Sequence, residues 1–293
     1  MKNVALVTFS DEPDLTPDDA LLIEPLERLG IDVHAVPWDL PCQWEQFDLI
    51  VLRSTWGYHK KLKEFTDWIK SLHDKGFPVQ NPEALMLWNT DKHYLLELKT
   101  KGFNVMPGII VEQDAPISLA KALQNNNWND AVFKPVISAS AFLTHRTSIA
   151  KAESDQAAFE DALAHSAVLV QPFAEEVCAE GEWSLIFFDG VYSHAVLKIP
   201  AAGEFRTQPS LGGQLAQVTP SEFLVTEAQQ IVDSLPQQPL YARVDGINSQ
   251  GHLLIMELEL IEPALWISSS PGAPERMATA ISSAIAKCQT AIL

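Results

Sequence analysis

The chain has 293 residues, of which 47% are hydrophobic, and its formal net charge is -18. This length is enough to bury a large core and indicates two or three compact units. So acidic a surface repels nucleic acid and anionic lipid, and neither is expected as a partner. It also repels small anionic ligands at long range, so a nucleotide site would need its own cluster of lysine, arginine and metal.

The N-terminal segment and the cysteines indicate a cytoplasmic protein. The apolar run Val4–Phe9 is too short for a signal peptide, and acidic residues follow it at once. Cys42, Cys178 and Cys288 are far apart and odd in number, so they predict neither a disulfide framework nor a metal site. No stretch approaches the length of a membrane span.

The first third of the chain alternates predicted strands and helices. Continuous apolar runs predict buried parallel strands, at 3–9, 31–36, 49–52 and near 79. Thr16-Pro17-Asp18-Asp19 predicts a helix start with Thr16 as the N-cap, and Glu64–Leu72 has helical spacing. This rhythm predicts a small open parallel sheet that ends near residue 85.

The rest of the chain predicts two further groups of elements. The predicted strands lie at 108–111, 131–135, 167–171, 183–188, 191–198, 240–247 and 252–260. The predicted helices begin near Pro82 and Thr90 and then cover 117–124, 156–164, 221–235 and 278–291.

Two separated lysines are the first candidates for a phosphate site. Lys92 lies at a predicted helix start, and Lys134 lies at the end of an apolar strand that Pro135 terminates. A lysine is a compact positive charge on a long stem, which suits a phosphate. Either lysine alone would more often be a solvated surface residue.

Two later segments carry residues that suit a nucleotide. The strand Leu169–Phe173 can offer backbone groups to an adenine edge, and Glu182 can accept hydrogen bonds from ribose hydroxyls. The loop after Lys198 contains Arg206 and Gly212-Gly213, which suit an anionic ligand approached by the backbone. An ordinary strand and a mobile surface loop stay open as alternatives.

The strongest pattern is a pair of acidic strands between residues 241 and 260. Side chains alternate along a strand, so Glu257 and Glu259 point to one face, and so do Arg243 and Asp245. If the two strands are neighbours in the right register, three carboxylates and one guanidinium share a face. Buried carboxylates are costly, and Mg²⁺ offsets that cost because it prefers oxygen ligands. A metal site is therefore favoured over a solvated acidic face.

On these motifs the chain resembles the ATP-grasp ligases over nearly its whole length. The loop from Lys198 to Gly213 is similar to one in bacterial glutathione synthetases and RimK-type glutamate ligases. The stretches 243–245 and 257–259 are similar to the Arg–Asp and Glu-x-Asn metal motifs, with Glu259 where many members have Asn. The segments RSTWGYH (53–59), WNTDK (88–92) and ELELIEP (257–263) resemble the branch that closes O-ureido-serine into cycloserine.

The resemblance implies an α/β fold that becomes α+β in the ATP-binding lobes. Residues 1–88 would form an N-terminal α/β domain with an open parallel sheet on the substrate side. Residues 89–172 would form the central ATP-grasp lobe, and residues 173–293 the C-terminal lobe with the metal site. The two lobes would clasp ATP between them.

The resemblance also implies a reaction and a set of residues. ATP, with one or two Mg²⁺ ions or Mn²⁺, would activate a carboxylate of a small amino-acid-like substrate as an acyl phosphate for attack by an amine. The residues implied for ATP are Lys92, Lys134, Ser138, Ser140, Gln171, Pro172, Phe173, Glu182 and Lys198. Those implied for the metal are Asp245, Glu257 and Glu259, and those for charge stabilisation during catalysis are Arg206 and Arg243. Those implied for the substrate are Arg53, Ser54, Thr55, His59, Arg146, Gly212 and Gly213.

Three alternatives stay open. Members of the family usually have a glycine-containing loop over the phosphates, whereas residues 137–146 contain no glycine. This loop is the one feature that favours a nucleotide-binding regulator that has lost catalysis. A small-molecule kinase that forms no C–N bond uses the same residues. A periplasmic-type solute-binding module suits the opening strands but predicts a signal peptide. A homodimer is compatible with all of these.

Overall fold

A computed structural model describes residues 1–208, 211–216 and 218–290. Its strands are β1 (Lys2–Thr8), β2 (Ile31–Pro37), β3 (Leu49–Leu52), β4 (Val79–Gln80), β5 (Ile109–Val111), β6 (Asp130–Pro135), β7 (His145–Ser148), β8 (Val168–Pro172), β9 (Glu182–Phe188), β10 (Val191–Ile199), β11 (Gln214–Ala216), β12 (Tyr241–Ser249) and β13 (His252–Glu259). Its α-helices are α1 (Ile23–Arg28), α2 (Leu62–Asp74), α3 (Glu83–Asn89), α4 (Tyr94–Thr100), α5 (Leu119–Asn125), α6 (Gln156–His165), α7 (Glu176–Ala179), α8 (Glu222–Asp233) and α9 (Ala273–Thr290).

The first sheet is parallel, as its apolar strands predict, with the order β2-β1-β3-β4. Alternate residues of β1 enter two different cores. Val4 and Leu6 pack in the core that contains α1 and α9, whereas Ala5 and Val7 pack in the core that contains α2. Both faces of the sheet are therefore covered, which explains why β1 is a continuous apolar run rather than an alternating one.

The other two sheets are antiparallel and follow each other along the chain. One has the order β5-β8-β6-β7 and packs against α5 and α6. The other has the order β11-β10-β9-β12-β13, and α8 packs against it. Within the described parts of the chain, none of the helices has the length and apolar character needed to cross a lipid bilayer.

The structure corrects several predicted boundaries. The strand β7 begins at the end of the glycine-free segment 137–146 and was not predicted. Its sequence, HRTS, gave no apolar signal because β7 is the edge strand of its sheet. The edge strand β11 was missed for the same reason. The first predicted helix begins with a 3-10 turn over Asp19–Leu22, in which the hydroxyl of Thr16 accepts the backbone N–H of Asp19. The last helix begins at Ala273, and its predicted end at Ala291 falls outside the described residues.

Side chains from earlier in the chain cover the outer edge of β13. The hydroxyl of Tyr94 accepts the backbone N–H of Leu258 at 3.0 Å. The buried side chain of Asn89 donates to the carbonyl of Leu258 at 2.8 Å and accepts the N–H of Leu260 at 2.8 Å. These bonds satisfy an edge that would otherwise be exposed for pairing. They also hold the α3–α4 segment against β13, which bears two of the predicted metal ligands.

We expect Asn89→Ala to lower the free energy of unfolding by about 1–3 kcal/mol, because it leaves a buried carbonyl and a buried N–H without partners. Denaturant unfolding would measure the loss. Asn125→Ala is the matched control, because Asn125 is also the last residue of its helix but is exposed. Equal stability losses in the two variants would contradict the role given to the Asn89 side chain.

Candidate active site

The two acidic strands are neighbours in the predicted register. Arg243 lies opposite Glu259 and Asp245 lies opposite Glu257 in the antiparallel pair β12–β13. Directly opposed residues point to the same face of a sheet, so these four side chains share one face, as predicted. The pairing shifts by one residue after Asp245, at a bulge that contains Gly246. A side chain at Gly246 would place its Cβ 2.5 Å from the carbonyl oxygen of Leu254, so the bulge requires glycine.

Asp245 is the most enclosed of the three carboxylates. It is 2% exposed and accepts hydrogen bonds from the Ser184 hydroxyl at 2.6 Å, from the Arg243 guanidinium at 2.8 Å and from the Lys198 ammonium at 3.3 Å. Burial opposes ionisation of Asp245, but the two cations outweigh it and hold the pKa of the carboxyl below its usual value. Asp245 is therefore a charged group inside the fold.

Glu257 joins two lysines that belong to different parts of the chain. Its two oxygens lie 3.0 Å from the Lys92 ammonium and 3.3 Å from the Lys134 ammonium. The Lys92 ammonium also donates to the backbone carbonyl of Ser138 at 2.9 Å. Despite burial, the two lysines hold the pKa of Glu257 well below its ordinary value. The structure thus brings together both lysines predicted for phosphate and one carboxylate predicted for metal.

Glu259 differs from its neighbours in its charge environment. It pairs with the guanidinium of Arg243. Burial raises the pKa of Glu259 to about 7, Arg243 opposes the rise, and the nearby charges of Asp245 and Glu257 add to it. Arg243 also lies 4.8 Å above the ring of Trp266, whose backbone is left-handed with φ 43°. A tryptophan held in that region is strained, and such strain is concentrated at functional sites.

The oxygen atoms of the three carboxyl groups are ligands of the kind that Mg²⁺ prefers, and they share one face of the sheet. Each carboxylate is turned toward protein cations, however. In the described residues, no three acidic, histidine or cysteine side chains converge in an arrangement that could hold a metal ion. A metal ion at this face would therefore take carboxylate oxygens that the protein's own cations now occupy.

The segment predicted for adenine lies at the end of β8. Gln171 is buried, and its side-chain nitrogen has no hydrogen-bond partner. Pro172 ends the strand, and the ring of Phe173 carries the guanidinium of Arg146 at 3.5 Å above its centre. Arg146, predicted for the substrate, thus lies beside the adenine segment. Glu182 is engaged as well, with the Lys198 ammonium at 2.8 Å.

The glycine-free loop has an unusual backbone. Ser140, Ala141 and Leu143 all have positive φ values, of 52°, 57° and 48°. Glycine adopts this region at no steric cost, whereas these residues do not. The Ser138 hydroxyl donates to the carbonyl of Pro135 at 2.9 Å and is buried, whereas Ser140 is exposed. The loop thus adopts, without glycine, backbone conformations that glycine usually provides.

The residues predicted to bind substrate lie at the end of β3 and are inside the fold. The Arg53 guanidinium is 2% exposed and donates to Asp19 at 2.8 Å and to the carbonyl of Pro263 at 2.9 Å. This enclosure was not expected, because its partners are distant in sequence. One nitrogen of Arg53, Nη1, has no partner, and the buried hydroxyls of Ser54 and Thr55 have none either.

His59 follows the same strand end after one turn. It is buried, neither ring nitrogen has a hydrogen-bond partner, and its ring lies 5.0 Å from that of Phe142. Burial, together with the positive charges of Lys60 and Lys92, lowers the pKa of His59 to about 4. The imidazole is therefore neutral at pH 7 and keeps one donor and one acceptor without partners.

Three further predicted residues lie in the loop between β10 and β11. Arg206 pairs with its neighbour Glu204 at 2.7 Å, and no contact in the described residues joins it to Asp245, Glu257 or Glu259. Gly213 lies against the backbone carbonyl of Thr207, where a side chain would clash. Its neighbour Gly212 has φ 86°. The loop therefore needs both glycines for its own path, and their substrate role stays a prediction.

Sequence reasoning missed several residues of this region. Asp19 and Trp266 contact predicted cations, but neither stands in a motif, and Asp19 was interpreted as part of a helix start. Glu262 is 8% exposed and lies three residues after Glu259. Burial, and then the charge of Glu259, raises the pKa of Glu262 to about 8. Its position in the segment ELELIEP was the one available signal.

Comparison with known proteins identifies the architecture. The crystal structure of D-cycloserine synthetase DcsG superposes on this chain with a TM-score of 0.84, at 26% sequence identity over 97% of this chain and 99% of that one. D-alanine–D-alanine ligase from Bacillus anthracis complexed with ATP superposes with a TM-score of 0.70 at 14% identity, over the full length of both chains. A RimK domain ATP-grasp protein from Sphaerobacter thermophilus gives a TM-score of 0.69 at 18% identity, over 97% of this chain and 99% of that one.

The chain has the ATP-grasp fold.

Sequence comparison agrees with the structural one. The family model for the N-terminal domain of D-cycloserine synthetase DcsG matches residues 4–81. The cycloserine biosynthesis protein DcsG of Streptomyces lavendulae is 28% identical over 295 aligned residues, which cover 95% of this chain and 97% of that protein. The predicted resemblance to ATP-grasp ligases and to the cycloserine-forming branch is therefore confirmed, as is the predicted fold class.

The ATP-grasp protein should lose stability as the pH falls from about 6.5 to 4, in part because of His59. The folded state resists protonation of this ring, whereas the unfolded state takes up a proton near pH 6.5. His59→Gln should therefore make the fall in unfolding free energy between pH 7 and pH 5 shallower. Denaturant unfolding at both pH values measures this, with His73→Gln, at an exposed histidine, as the control. An unchanged pH dependence in His59→Gln would contradict the assignment.

Proposed function

We propose that this protein is an ATP- and divalent-metal-dependent ligase, or an intramolecular cyclase. It would activate a carboxylate of a small amino-acid-like substrate for attack by an amine nitrogen. One observation carries the proposal: in an ATP-grasp fold, Lys92 and Lys134 meet Glu257 on the face that also bears Asp245 and Glu259. A metal-bound triphosphate needs ammonium groups to bind its phosphate oxygens and carboxylates to bind its metal ion, and this face supplies both.

The phosphates would replace carboxylate as the partner of the two lysines. Lys92 and Lys134 would bind phosphate oxygens, which releases Glu257 from its two ion pairs. Asp245, Glu257 and Glu259 would then hold Mg²⁺ or Mn²⁺, which when bound offsets the negative charge of the phosphates. Catalysis of this kind depends on positioning and charge neutralisation, and no protein nucleophile is needed.

The chemistry has two balanced steps. A substrate carboxylate oxygen attacks the γ-phosphorus of ATP, the bond to ADP breaks, and an acyl phosphate forms. The amine nitrogen then attacks the acyl carbon, the carbon–oxygen bond to phosphate breaks, and phosphate leaves while the nitrogen loses a proton. We assign to Arg243 the stabilisation of the negative charge in both steps, because its guanidinium lies on the acidic face. Arg206 would need to leave Glu204 to take part.

The remaining predicted roles concern nucleotide and substrate. We propose that the end of β8 holds adenine and that Glu182 accepts the ribose hydroxyls. The buried side-chain nitrogen of Gln171, which has no partner, supports a ligand there. The domain division at residues 88 and 172 also belongs to this proposal, and three successive sheets support it. We also propose that the N-terminal domain contributes to the binding site of a small amino-acid-like substrate. The similarity to a protein named D-cycloserine synthetase supports a substrate of this class.

Glu257→Gln should reduce Mg-dependent ADP release by about a hundredfold or more, because it removes a charge that would face the metal and both lysines. A coupled ADP assay with candidate amino-acid substrates measures the rate. Glu222→Gln is the control, since Glu222 is exposed on α8. Mass spectrometry of the products would show a new C–N bond, whereas a phosphorylated product would indicate a kinase. A wild-type rate for Glu257→Gln would contradict the site.

A further inference from the structure

Glu262 is a buried carboxyl group for which the described residues show no ion pair. It is 8% exposed, and its own backbone amide donates to it. The charges of Arg243 and Lys92 also favour its ionisation, but burial and the charge of Glu259 outweigh them. Within the residues that the structure describes, no lysine, arginine or histidine forms an ion pair with it. The other buried carboxylates of this region, among them Asp19 and Asp245, are all paired with cations. A buried carboxyl group without an ion-pair partner is costly to ionise, so its presence at this position needs a reason.

The residues on either side of Glu262 contact the segment that follows β3. Its neighbour Ile261 packs in the core that contains Tyr58, and its other neighbour Pro263 accepts a hydrogen bond from Arg53 at 2.9 Å. Tyr241 lies between the two segments. The Arg53 guanidinium is 5.1 Å above its ring, and its hydroxyl donates to the carbonyl of Ile261 at 2.7 Å. Glu262 thus belongs to the same buried region as the strand end of β3.

That strand end carries a group of buried polar side chains, most of them able to donate, whose atoms have no hydrogen-bond partners. They are Nη1 of Arg53, the hydroxyls of Ser54 and Thr55, and the ring of His59. More than nine-tenths of each of these side chains is buried. Native proteins rarely leave so many buried polar atoms unsatisfied in one place, so the group points to a ligand that supplies the missing partners.

The unpaired groups form two sets of opposite character. The set on the β3 side donates hydrogen bonds and includes one guanidinium, so it suits a carboxylate or another oxygen-rich acceptor. Glu262 is an acceptor and suits a cation. A simple carboxylic acid would satisfy the first set and leave Glu262 unpaired. A zwitterionic amino acid satisfies both.

We propose that Glu262 binds the ammonium group of the substrate and so restricts the enzyme to amino acids and their derivatives over plain carboxylic acids. The inference rests on the proposed ligase function and adds to it a specificity-determining residue outside the metal and phosphate groups. The raised pKa of Glu262 agrees with this placement, because an adjacent ammonium would offset both its burial and the charge of Glu259.

Ligand binding with and without the amino group tests the inference. The protein is loaded with Mg²⁺ and a non-hydrolysable ATP analogue, and dissociation constants are measured by calorimetry for two matched pairs. The pairs are D-cycloserine with isoxazolidin-3-one, which has the same ring without the amino group, and D-serine with 3-hydroxypropionate. We expect the wild-type protein to bind the amino member of at least one pair more tightly by about tenfold or more, as a charged hydrogen bond would give.

Glu262→Gln keeps the shape of the side chain and removes its ability to ionise. It should abolish the preference for the amino ligand, leave the affinity for the ATP analogue unchanged, and not lower the unfolding midpoint, since no ion pair is lost. A residue with a purely structural role would instead lower the midpoint and keep the preference. Glu262→Asp should restore part of the preference. Glu180→Gln, at an exposed glutamate, should behave as wild type.

The outcomes separate the two proposals. If the ATP analogue binds but neither amino ligand is preferred, or if Glu262→Gln keeps the preference, the role of Glu262 is overturned and the ligase function stands. If the ATP analogue itself fails to bind, the proposed function is overturned, and the inference falls with it.

Discussion

The architecture of the site depends on charge compensation at one face of the C-terminal sheet. Three carboxyl groups lie side by side on β12 and β13, one buried and two half-buried, and their mutual repulsion requires cations beside them. The cations come from separate parts of the chain: Lys92 before α4, Lys134 on β6, Lys198 on β10 and Arg243 beside them on β12. Each ion pair therefore also joins elements that are distant in sequence, and the face exists only when the whole chain has folded.

In this arrangement the carboxylate of Glu257 competes with the phosphates of a nucleotide for Lys92 and Lys134. In a protein of net charge -18, a triphosphate gains nothing from the overall field and must find its positive charge locally. The Lys92 and Lys134 ammonium groups are already concentrated at one point by Glu257. A metal-bound triphosphate brings both the anion that the lysines need and the cation that the carboxylate needs. Binding would therefore exchange one set of charge pairs for another and leave no buried charge unpaired.

The sequence predicted the features that follow from periodicity. Alternation along β12 and β13 was enough to place Glu257 and Glu259 on one face, and the apolar runs were enough to predict the parallel sheet. The edge strands β7 and β11 were missed because an edge strand can be polar, and polar strands resemble loops. These failures are local, and they did not affect the predicted fold.

What the sequence could not supply was the set of partners. Arg53 was predicted to contact substrate at the end of a strand, and this role stays a prediction. Its partners, Asp19 and the carbonyl of Pro263, lie 34 and 210 residues away and could not be predicted. Glu262 stood in a quoted motif, but its importance lies in being buried without an ion pair among the described residues, and only the fold reveals this. Whether a charged side chain has a partner depends on tertiary contacts, which the sequence does not show. The alternation of side chains depends only on the strand, so it can be predicted from the sequence.

A crystal structure of the protein with Mg²⁺ and a non-hydrolysable ATP analogue tests the central claim most directly. The account predicts that the ammonium groups of Lys92 and Lys134 lie within hydrogen-bond distance of phosphate oxygens. It also predicts that Glu257 has left both lysines and contacts the metal. A nucleotide bound elsewhere, with both lysine–Glu257 pairs intact, would contradict it.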